Sequence, residues 1–171
     1  PFDIPHRLVT SFIYELPVGA DRGGNPGGVA GALLGGGSVN GILSLNSGRP
    51  FSVGATDRAG TGSGRRAAAN CIGAPLPDGF DQTNDKWFDT SAFASLAPFT
   101  YGTCGYNTLR GPGFKSMNMS LFRSIAVGGE RRLEFRLETF NLFNWVNWGF
   151  PGSSVDNAAT FGRITSTLGD P

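Results

Sequence analysis

The sequence has little charge and no long hydrophobic run. Only 16% of its 171 residues are charged, and the formal net charge is +1 at pH 7. The longest apolar candidate, residues 29–34, is followed directly by glycines 35–37, whereas a membrane-spanning helix needs about 18 apolar residues. No run of basic residues is interleaved with aromatics. These absences exclude a helical membrane protein and argue against nucleic acid as a partner.

Residues that commonly carry catalysis or bind metals are scarce. The chain has one histidine, His6, and two cysteines. A single histidine gives no support to a Ser-His-Asp site, and three such side chains are too few for a zinc site. The aspartates of residues 78–89 do not follow the spacing of a calcium loop, because Lys86 and Ala92 stand where Gly and Glu are required. We therefore expect no enzyme activity, no metal site and no cofactor.

Glycine, proline and aromatic residues are abundant instead. The chain contains 27 Gly, 11 Pro, 14 Phe, 3 Trp and 3 Tyr. So much glycine and proline disfavours helices and is typical of strands joined by long loops. Aromatic residues near strand ends are typical of membrane barrels, and the cores of soluble β proteins are aromatic-rich as well. Composition therefore predicts an all-β protein.

Residues 114–144 predict two long strands joined by a tight turn at Gly128 and Gly129. The apolar positions of the two strands, here called the apolar set, are Met117, Met119, Leu121, Leu133, Phe135 and Leu137. The alternate positions of the second strand, here called the charged set, are Arg132, Glu134, Arg136 and Glu138. Because side chains alternate between the faces of a strand, one face is apolar and the other is polar or charged.

The length of these strands favours a membrane barrel. Each runs for about 12 residues, against about 5–6 for a common strand and about 9–11 for a tilted strand that crosses a bilayer. A soluble sheet with one wet face shows the same alternation. The alternative is thus a soluble β-sandwich binding or adhesin domain, in which Leu133, Phe135 and Leu137 pack against a second sheet of the same chain.

The same reasoning gives the organisation of the whole chain. Long strands are predicted at about residues 6–17, 38–53, 114–126 and 131–144. Residues 18–37 are predicted to form a glycine-rich connection with a short helical turn near 29–34. Long loops are predicted at about residues 54–113 and 145–171. The predicted fold is an all-β antiparallel meander of long strands, a partial segment of a large transmembrane β-barrel with long extracellular loops.

Short motifs along the chain resemble one family of barrels. In order they are Tyr14-Glu15-Leu16-Pro17, Ser47-Gly48-Arg49-Pro50-Phe51, Trp87-Phe88 through Phe93, Arg110-Gly111-Pro112-Gly113-Phe114, Ser120-Leu121-Phe122, Phe140-Asn141-Leu142-Phe143-Asn144 and Phe161-Gly162. Together they resemble the C-terminal barrel of TonB-dependent outer-membrane receptors, in particular the Oar-like group with carboxypeptidase-regulatory-like domains. The resemblance implies energised uptake of a bulky ligand across the outer membrane of a Gram-negative type bacterium.

The resemblance also implies an orientation. Family members end on a descending strand with an aromatic last residue, and that strand is absent here, so we expect this chain to be an excised piece. Residues 131–143 then ascend and residues 54–113 lie outside the cell. The apolar set would face lipid and the charged set the lumen. The expected partners are outer-membrane lipid, the rest of the barrel with its plug, the TonB complex through absent N-terminal segments, and an unidentified transported ligand.

The two cysteines both lie in the predicted external loop. An extracellular location is oxidising, so we expect Cys71 and Cys104 to form a disulfide that closes a loop of about 34 residues. The alternative is two unpaired thiols in a loose loop. Loops of this length are usually functional or disordered.

Overall fold

The computed structural model describes residues 3–17, 35–60 and 67–168. The chain divides into two compact units. The sheet unit comprises residues 7–46 and 115–146, and the loop unit comprises residues 1–6, 47–114 and 147–169. The helical turn predicted near residues 29–34 lies outside the described residues.

Strands make up nearly all the regular structure of the described chain. They are β1 Arg7–Glu15, β2 Ser38–Asn46, β3 Pro50–Phe51, β4 Gly54–Ala55, β5 Ala67–Ala68, β6 Asn70–Cys71, β7 Phe93–Ala94, β8 Leu109–Arg110, β9 Phe114–Gly128 and β10 Arg131–Thr139. A single 3-10 turn, Thr90–Ala92, is capped by the Asp89 side chain. No helix within the described residues has the length and apolar character to cross a membrane. The prediction of an all-β fold is confirmed.

The sheet unit is one four-stranded sheet in the order β1-β2-β9-β10. β1 and β2 pair antiparallel, with Arg7 opposite Asn46 at one end and Glu15 opposite Ser38 at the other. β9 and β10 also pair antiparallel. Long strands that neighbour each other in chain order are the arrangement of a meander, as the sequence predicted.

The β9–β10 hairpin turns at its glycines. Gly128 has φ 112° and Gly129 has φ 61°, a backbone region in which residues with a Cβ are strained. The register shifts between Arg131 and Arg132, which makes a bulge beside the turn. β9 therefore runs to Gly128 rather than ending near residue 126.

The predicted strand 38–53 is too long at its C-terminal end. β2 ends at Asn46, and residues 50–51 form β3, which pairs with β8 in the loop unit. At Gly48 the chain passes so close to another segment that a Cβ would overlap the carbonyl oxygen of Gly111. Only glycine fits such an approach, so the long strand ends before this point and the chain changes partner.

The loop unit contains the hydrophobic core of the described chain. The cluster of buried residues is Val53, Ala55, Ala69, Phe88, Ala92, Phe93, Leu96, Cys104 and Leu109. Phe88 is fully buried, and its ring contacts the rings of Phe51, Phe93 and Phe161 at centroid distances of 5.2–6.0 Å. The two regions predicted as separate long loops, 54–113 and 145–171, therefore supply one shared core where the chain is described.

Pairs of very short strands, and not long strands, hold this core together. β3 pairs with β8, β4 with β5 and β6 with β7. In the C-terminal part of the described chain, Phe161 and Thr167 make isolated bridges. The C-terminal segment is joined to the rest of the loop unit by backbone hydrogen bonds. The Trp87 N–H donates to the Gly162 carbonyl, and the Ile164 N–H donates to the Asn84 carbonyl.

Candidate functional site

The register of β9 and β10 separates the apolar set from the charged set. Leu137 lies opposite Leu121, Leu133 opposite Ile125, and Met119 opposite Thr139. The charged set lies opposite a different group, namely Ser120, Phe122, Ser124 and Ala126. Residues directly opposite in a sheet share a face, so the apolar set occupies one face of the hairpin and the charged set the other.

The apolar face of the hairpin is open. Leu133 is 59% exposed, Phe135 37% and Leu137 53%, whereas Phe88 in the loop-unit core is 0% exposed. Every residue of the buried hydrophobic cluster belongs to the loop unit. The packing of these three side chains against a second sheet, which a soluble sandwich requires, is not found among the described residues.

The apolar face continues across β1 and β2. Leu8 lies opposite Leu45, Phe12 opposite Gly41 and Tyr14 opposite Val39. The Phe12 ring fills the space where a side chain at Gly41 would lie, so the glycine leaves no gap in this face. A wide apolar groove then spans the middle of the sheet, lined by Leu16, Val39, Met119, Leu121, Leu137 and Leu142.

The opposite face is mixed over the same strands: it carries the charged set and Asn40, and it also carries the exposed side chains of Val9, Ile13 and Ile42. The Asn40 amide donates to Ser120 Oγ at 3.3 Å, and the Arg136 guanidinium lies 5.6 Å from the centroid of the Phe122 ring. Arg136 and Glu138 approach to 3.9 Å with both side chains well exposed. Such exposed pairs contribute little stability, about 0–1 kcal/mol.

Arg123 is a charged exception on the apolar face and is not among the residues of the predicted sets. It lies opposite Phe135 and therefore on the apolar face. Strict alternation from Leu121 to Ile125 indicates this placement.

The chain leaves β10 through a structured turn, not through the extended strand predicted to residue 144. Asn141 and Asn144 have φ 48° and 50°, the left-handed region that asparagine tolerates better than most residues. Asn141 Oδ1 accepts from the Trp145 N–H, and the Asn141 amide donates to the Trp145 carbonyl. The Asn141 N–H donates to Asn118 Oδ1.

This turn gathers exposed aromatic side chains at the end of the sheet. Phe140 and Phe143 are exposed, and the Phe143 ring lies 4.9 Å from that of Trp145. Aromatic residues at strand ends are characteristic of the interfacial girdles of membrane barrels. The motif at residues 140–144, which is part of the family resemblance, therefore forms a turn that exposes aromatic rings.

In the loop unit, Cys71 and Cys104 form a disulfide that joins residues 33 positions apart in sequence. Cys71 ends β6, and its N–H donates to Thr103 Oγ1. Cys104 is buried, and its N–H donates to the Ala69 carbonyl at 3.0 Å. Hydrogen bonds on both sides of the bridge hold the two segments side by side.

Two carboxylates of the loop unit have lowered pKa values. The Ser95 hydroxyl, at 2.6 Å, and then the Thr56 N–H stabilise the ionised form and lower the pKa of Asp156. The Ser91 side chain and N–H lower the pKa of Asp89 in the same way, with a smaller contribution from Lys86. Asp156 joins distant loop segments, whereas Asp89 makes local contacts that cap the 3-10 turn.

No catalytic or metal-binding arrangement is found in the described part of the chain. No group of three or more His, Cys, Asp or Glu side chains there could hold a metal ion. The N–H of His6 donates to Ser47 Oγ at 3.2 Å. The residues that the structure brings together are those of a two-faced wall and of a disulfide-closed loop unit.

Comparison with protein families agrees with this geometry. A model described as "outer membrane beta barrel domain" matches residues 1–171. The chain belongs to this family. The barrel prediction is thereby confirmed, and so is the predicted location in the outer membrane. Comparisons with curated proteins and with solved structures found no match.

Membership of the outer-membrane barrel family gives the sheet unit a physical setting. A barrel wall needs one face for hydrocarbon and one for its interior, and strands of 9 residues such as β1 and β10 are near the about 9–11 that cross a bilayer. The soluble sandwich alternative receives no support from the match.

Proposed function

We propose that this outer-membrane barrel is part of a TonB-dependent transporter of the Oar-like group, which takes up a bulky ligand across the outer membrane. The observation that carries the proposal is that one chain contains both a sheet with an apolar face and a folded loop unit. A simple barrel needs only short connections, whereas residues 47–114 supply most of a unit with its own core and disulfide. Large ordered loops are typical of ligand-binding surfaces.

In this proposal the apolar set faces lipid and the charged set faces the lumen. Hydrocarbon cannot solvate a charge, and a basic side chain on the lipid face of a barrel costs about 2–4 kcal/mol at the bilayer midplane. The charged set avoids this cost only in a hydrated interior. These charges line the wall or contact a plug, and they are not assigned a direct role in ligand binding.

The loop unit is placed outside the cell, where it makes the first contact with the ligand. Its disulfide suits an oxidising environment. The proposed partners are outer-membrane lipid, the rest of the barrel with its plug, and the inner-membrane TonB complex. The plug and the TonB-contacting segment are assigned to other parts of the same receptor. No covalent chemistry is proposed.

The face assignment is tested by lipid-phase labelling of the full-length parent protein. Single cysteines are placed at Leu133, Glu134, Phe135 and Arg136 with Cys71 and Cys104 replaced by serine. We expect labelling from lipid at 133 and 135 and none at 134 and 136. Protection at all four positions would mean that the apolar face is covered by protein and would contradict the assignment.

The transport assignment needs a separate test. The full-length parent protein in nanodiscs is mixed with the periplasmic domain of the host TonB, and photo-crosslinking is measured with and without the N-terminal region of the receptor. We expect crosslinking that depends on that region. A steady ion conductance in planar bilayers, with no crosslinking to TonB, would instead indicate an open pore and would contradict the proposal.

A further inference from the structure

A cleft in the loop unit has the composition of a small-molecule site. It encloses about 320 Å³, and its walls include the rings of Phe51 and Phe150 together with Arg49, Asn107 and Ser153. Ligand sites are commonly clefts of about 300–1,000 Å³ with mainly apolar walls and a few convergent polar groups. All the lining residues belong to the loop unit.

The aromatic wall is fixed by the backbone beneath it. The Phe51 and Phe150 rings pack edge to face with centroids 5.8 Å apart. A Cβ at Gly111 would lie 2.8 Å from the Phe150 ring, so the absence of a side chain there lets the ring rest on the main chain. Pro50 and Pro151, which also line the cleft, restrict the chain beside each ring.

Among the described residues that line this cleft, Arg49 supplies the positive charge. Its guanidinium lies 5.3 Å from the centroid of the Phe150 ring. Stacking uses the face of a guanidinium and leaves the N–H donors at its edge free for a planar anion. Among the described residues no carboxylate or carbonyl accepts a hydrogen bond from the Arg49 side chain, and no acidic residue lines the cleft.

Hydrogen bonds hold the main chain that carries the polar residues of the cleft before any ligand binds. The Arg49 carbonyl accepts from the Gly111 N–H at 3.0 Å, and the Ser153 carbonyl accepts from the Gly54 N–H at 2.8 Å. The Asn107 N–H donates to Ser52 Oγ at 2.7 Å and keeps Asn107 at φ 58°. Such preorganisation reduces the entropy lost on binding.

From these observations we propose that the cleft, here called the Arg49 cleft, binds an aromatic carboxylate. The aromatic ring packs against Phe51 and Phe150, and the carboxylate accepts paired hydrogen bonds from the edge of Arg49. Asn107 and Ser153 lie within the same cleft and offer further polar contacts to the carboxylate end. A free acid and the C-terminal residue of a peptide present the same chemistry, and the two arms of the test distinguish these sources.

The test uses the full-length parent protein in nanodiscs with two fluorescent probes of equal shape, 2-naphthoate and its neutral amide, 2-naphthamide. Empty nanodiscs serve as the blank. We expect saturable binding of 2-naphthoate and at least tenfold weaker binding of 2-naphthamide, because only the anion gains charge-assisted bonds. A second arm compares a short peptide ending in phenylalanine with its C-terminal amide, which distinguishes the peptide source from the free acid.

Variants locate the binding in the cleft. Arg49→Gln should weaken 2-naphthoate binding at least tenfold, and Phe150→Leu, which alters an exposed ring, should weaken it severalfold without removing the charge. Arg163→Gln, at an exposed arginine of the same unit outside the cleft, should change it less than twofold.

Three results would overturn the proposal: no saturable binding of 2-naphthoate, equal binding of the amide, or an equal loss in the Arg163 variant. The proposal rests on the geometry of the loop unit and does not require transport. Failure of the TonB crosslinking experiment would therefore leave it unaffected.

Discussion

At the scale of single residues, Asp156 organises the loop unit. One carboxylate oxygen accepts from the Ser95 hydroxyl and the other from the Thr56 N–H, each at 2.6 Å. These partners come from segments 61 and 100 residues away in sequence, so one side chain joins three parts of the unit. The pKa of Asp156 is lowered because both bonds favour the ionised form.

Asp156→Asn should therefore destabilise the loop unit near neutral pH. An amide is neutral, so both bonds lose their charge-assisted character, at a cost of about 1 kcal/mol for this exposed group. A lowered pKa in the folded state means that the stabilisation is present above the ordinary value of 3.8 and is lost as the pH falls through the lowered value. The difference between wild type and variant should thus be large at pH 7 and small well below pH 3.8.

The measurement is hydrogen exchange of the peptide that contains Thr56, corrected for intrinsic exchange rates, in the full-length parent protein. Asp78→Asn is the matched control, since the structure gives the exposed Asp78 no hydrogen bond among the described residues. A difference between Asp156→Asn and wild type that does not shrink on acidification would contradict this account.

Residue-scale features of this kind were the hardest to predict from sequence. The contacts of Asp156 depend on tertiary structure, and nothing in its own neighbourhood signals them. The left-handed Asn141 and Asn144 carried a weak signal, because asparagine is favoured in such turns. The charged and apolar sets were predictable, since alternation with period two is a local property of the chain.

At the scale of elements, strand length decided what could be predicted. β1, β2, β9 and β10 are long enough to show alternation, and each is predicted, with ends misplaced by as many as seven residues at the C-terminal end of β2. β3 and β8 contain two residues each and lie almost sixty residues apart, so their pairing leaves no periodic pattern. The Arg49 cleft escaped prediction for the same reason, because distant short segments form it.

The faces of β10 give a prediction that belongs to this scale. Leu137→Lys puts a charge on the apolar face and should destabilise the full-length barrel by about 2–4 kcal/mol if position 137 lies near the bilayer midplane. Glu138→Lys, one position along and on the other face, should cost less than about 1 kcal/mol, because its 3.9 Å pair with Arg136 is exposed. Urea unfolding in lipid vesicles measures both. Equal costs at the two positions would contradict the assignment of faces.

The disulfide gives a second element-scale prediction. Replacing Cys71 and Cys104 together by serine removes a crosslink between residues 33 positions apart and should destabilise the loop unit by about 2–4 kcal/mol. We expect trypsin to cleave after Arg58 or Lys86 at least about tenfold faster in the double variant on intact cells, because cleavage follows the open population. Reductant should accelerate cleavage of the wild type and leave the variant unchanged. If cleavage is accelerated neither by the double substitution nor by reductant in the wild type, the bridge does not hold the unit together.

At the scale of the whole molecule, the two units differ in how they satisfy their hydrophobic residues. The loop unit buries an aromatic core and is closed by a disulfide. The sheet unit leaves its large apolar side chains exposed, and β1 and β10 stand at the two ends of its strand order. An apolar face and open strand edges are stable only when lipid and neighbouring strands cover them.

Expression of residues 1–171 alone should therefore give an aggregating protein in water. We expect detergent or lipid to keep the protein dispersed. A variant with Leu133, Phe135 and Leu137 changed to Thr should aggregate less, because threonine retains strand propensity and lowers the exposed apolar area. Analytical ultracentrifugation with and without detergent measures this, and Val53→Thr, in the loop-unit core, is the contrasting variant that should not improve solubility. A monomer that is soluble without detergent and unfolds cooperatively would mean that the apolar face needs no lipid. That result would contradict the assignment of one sheet face to lipid and the other to the lumen.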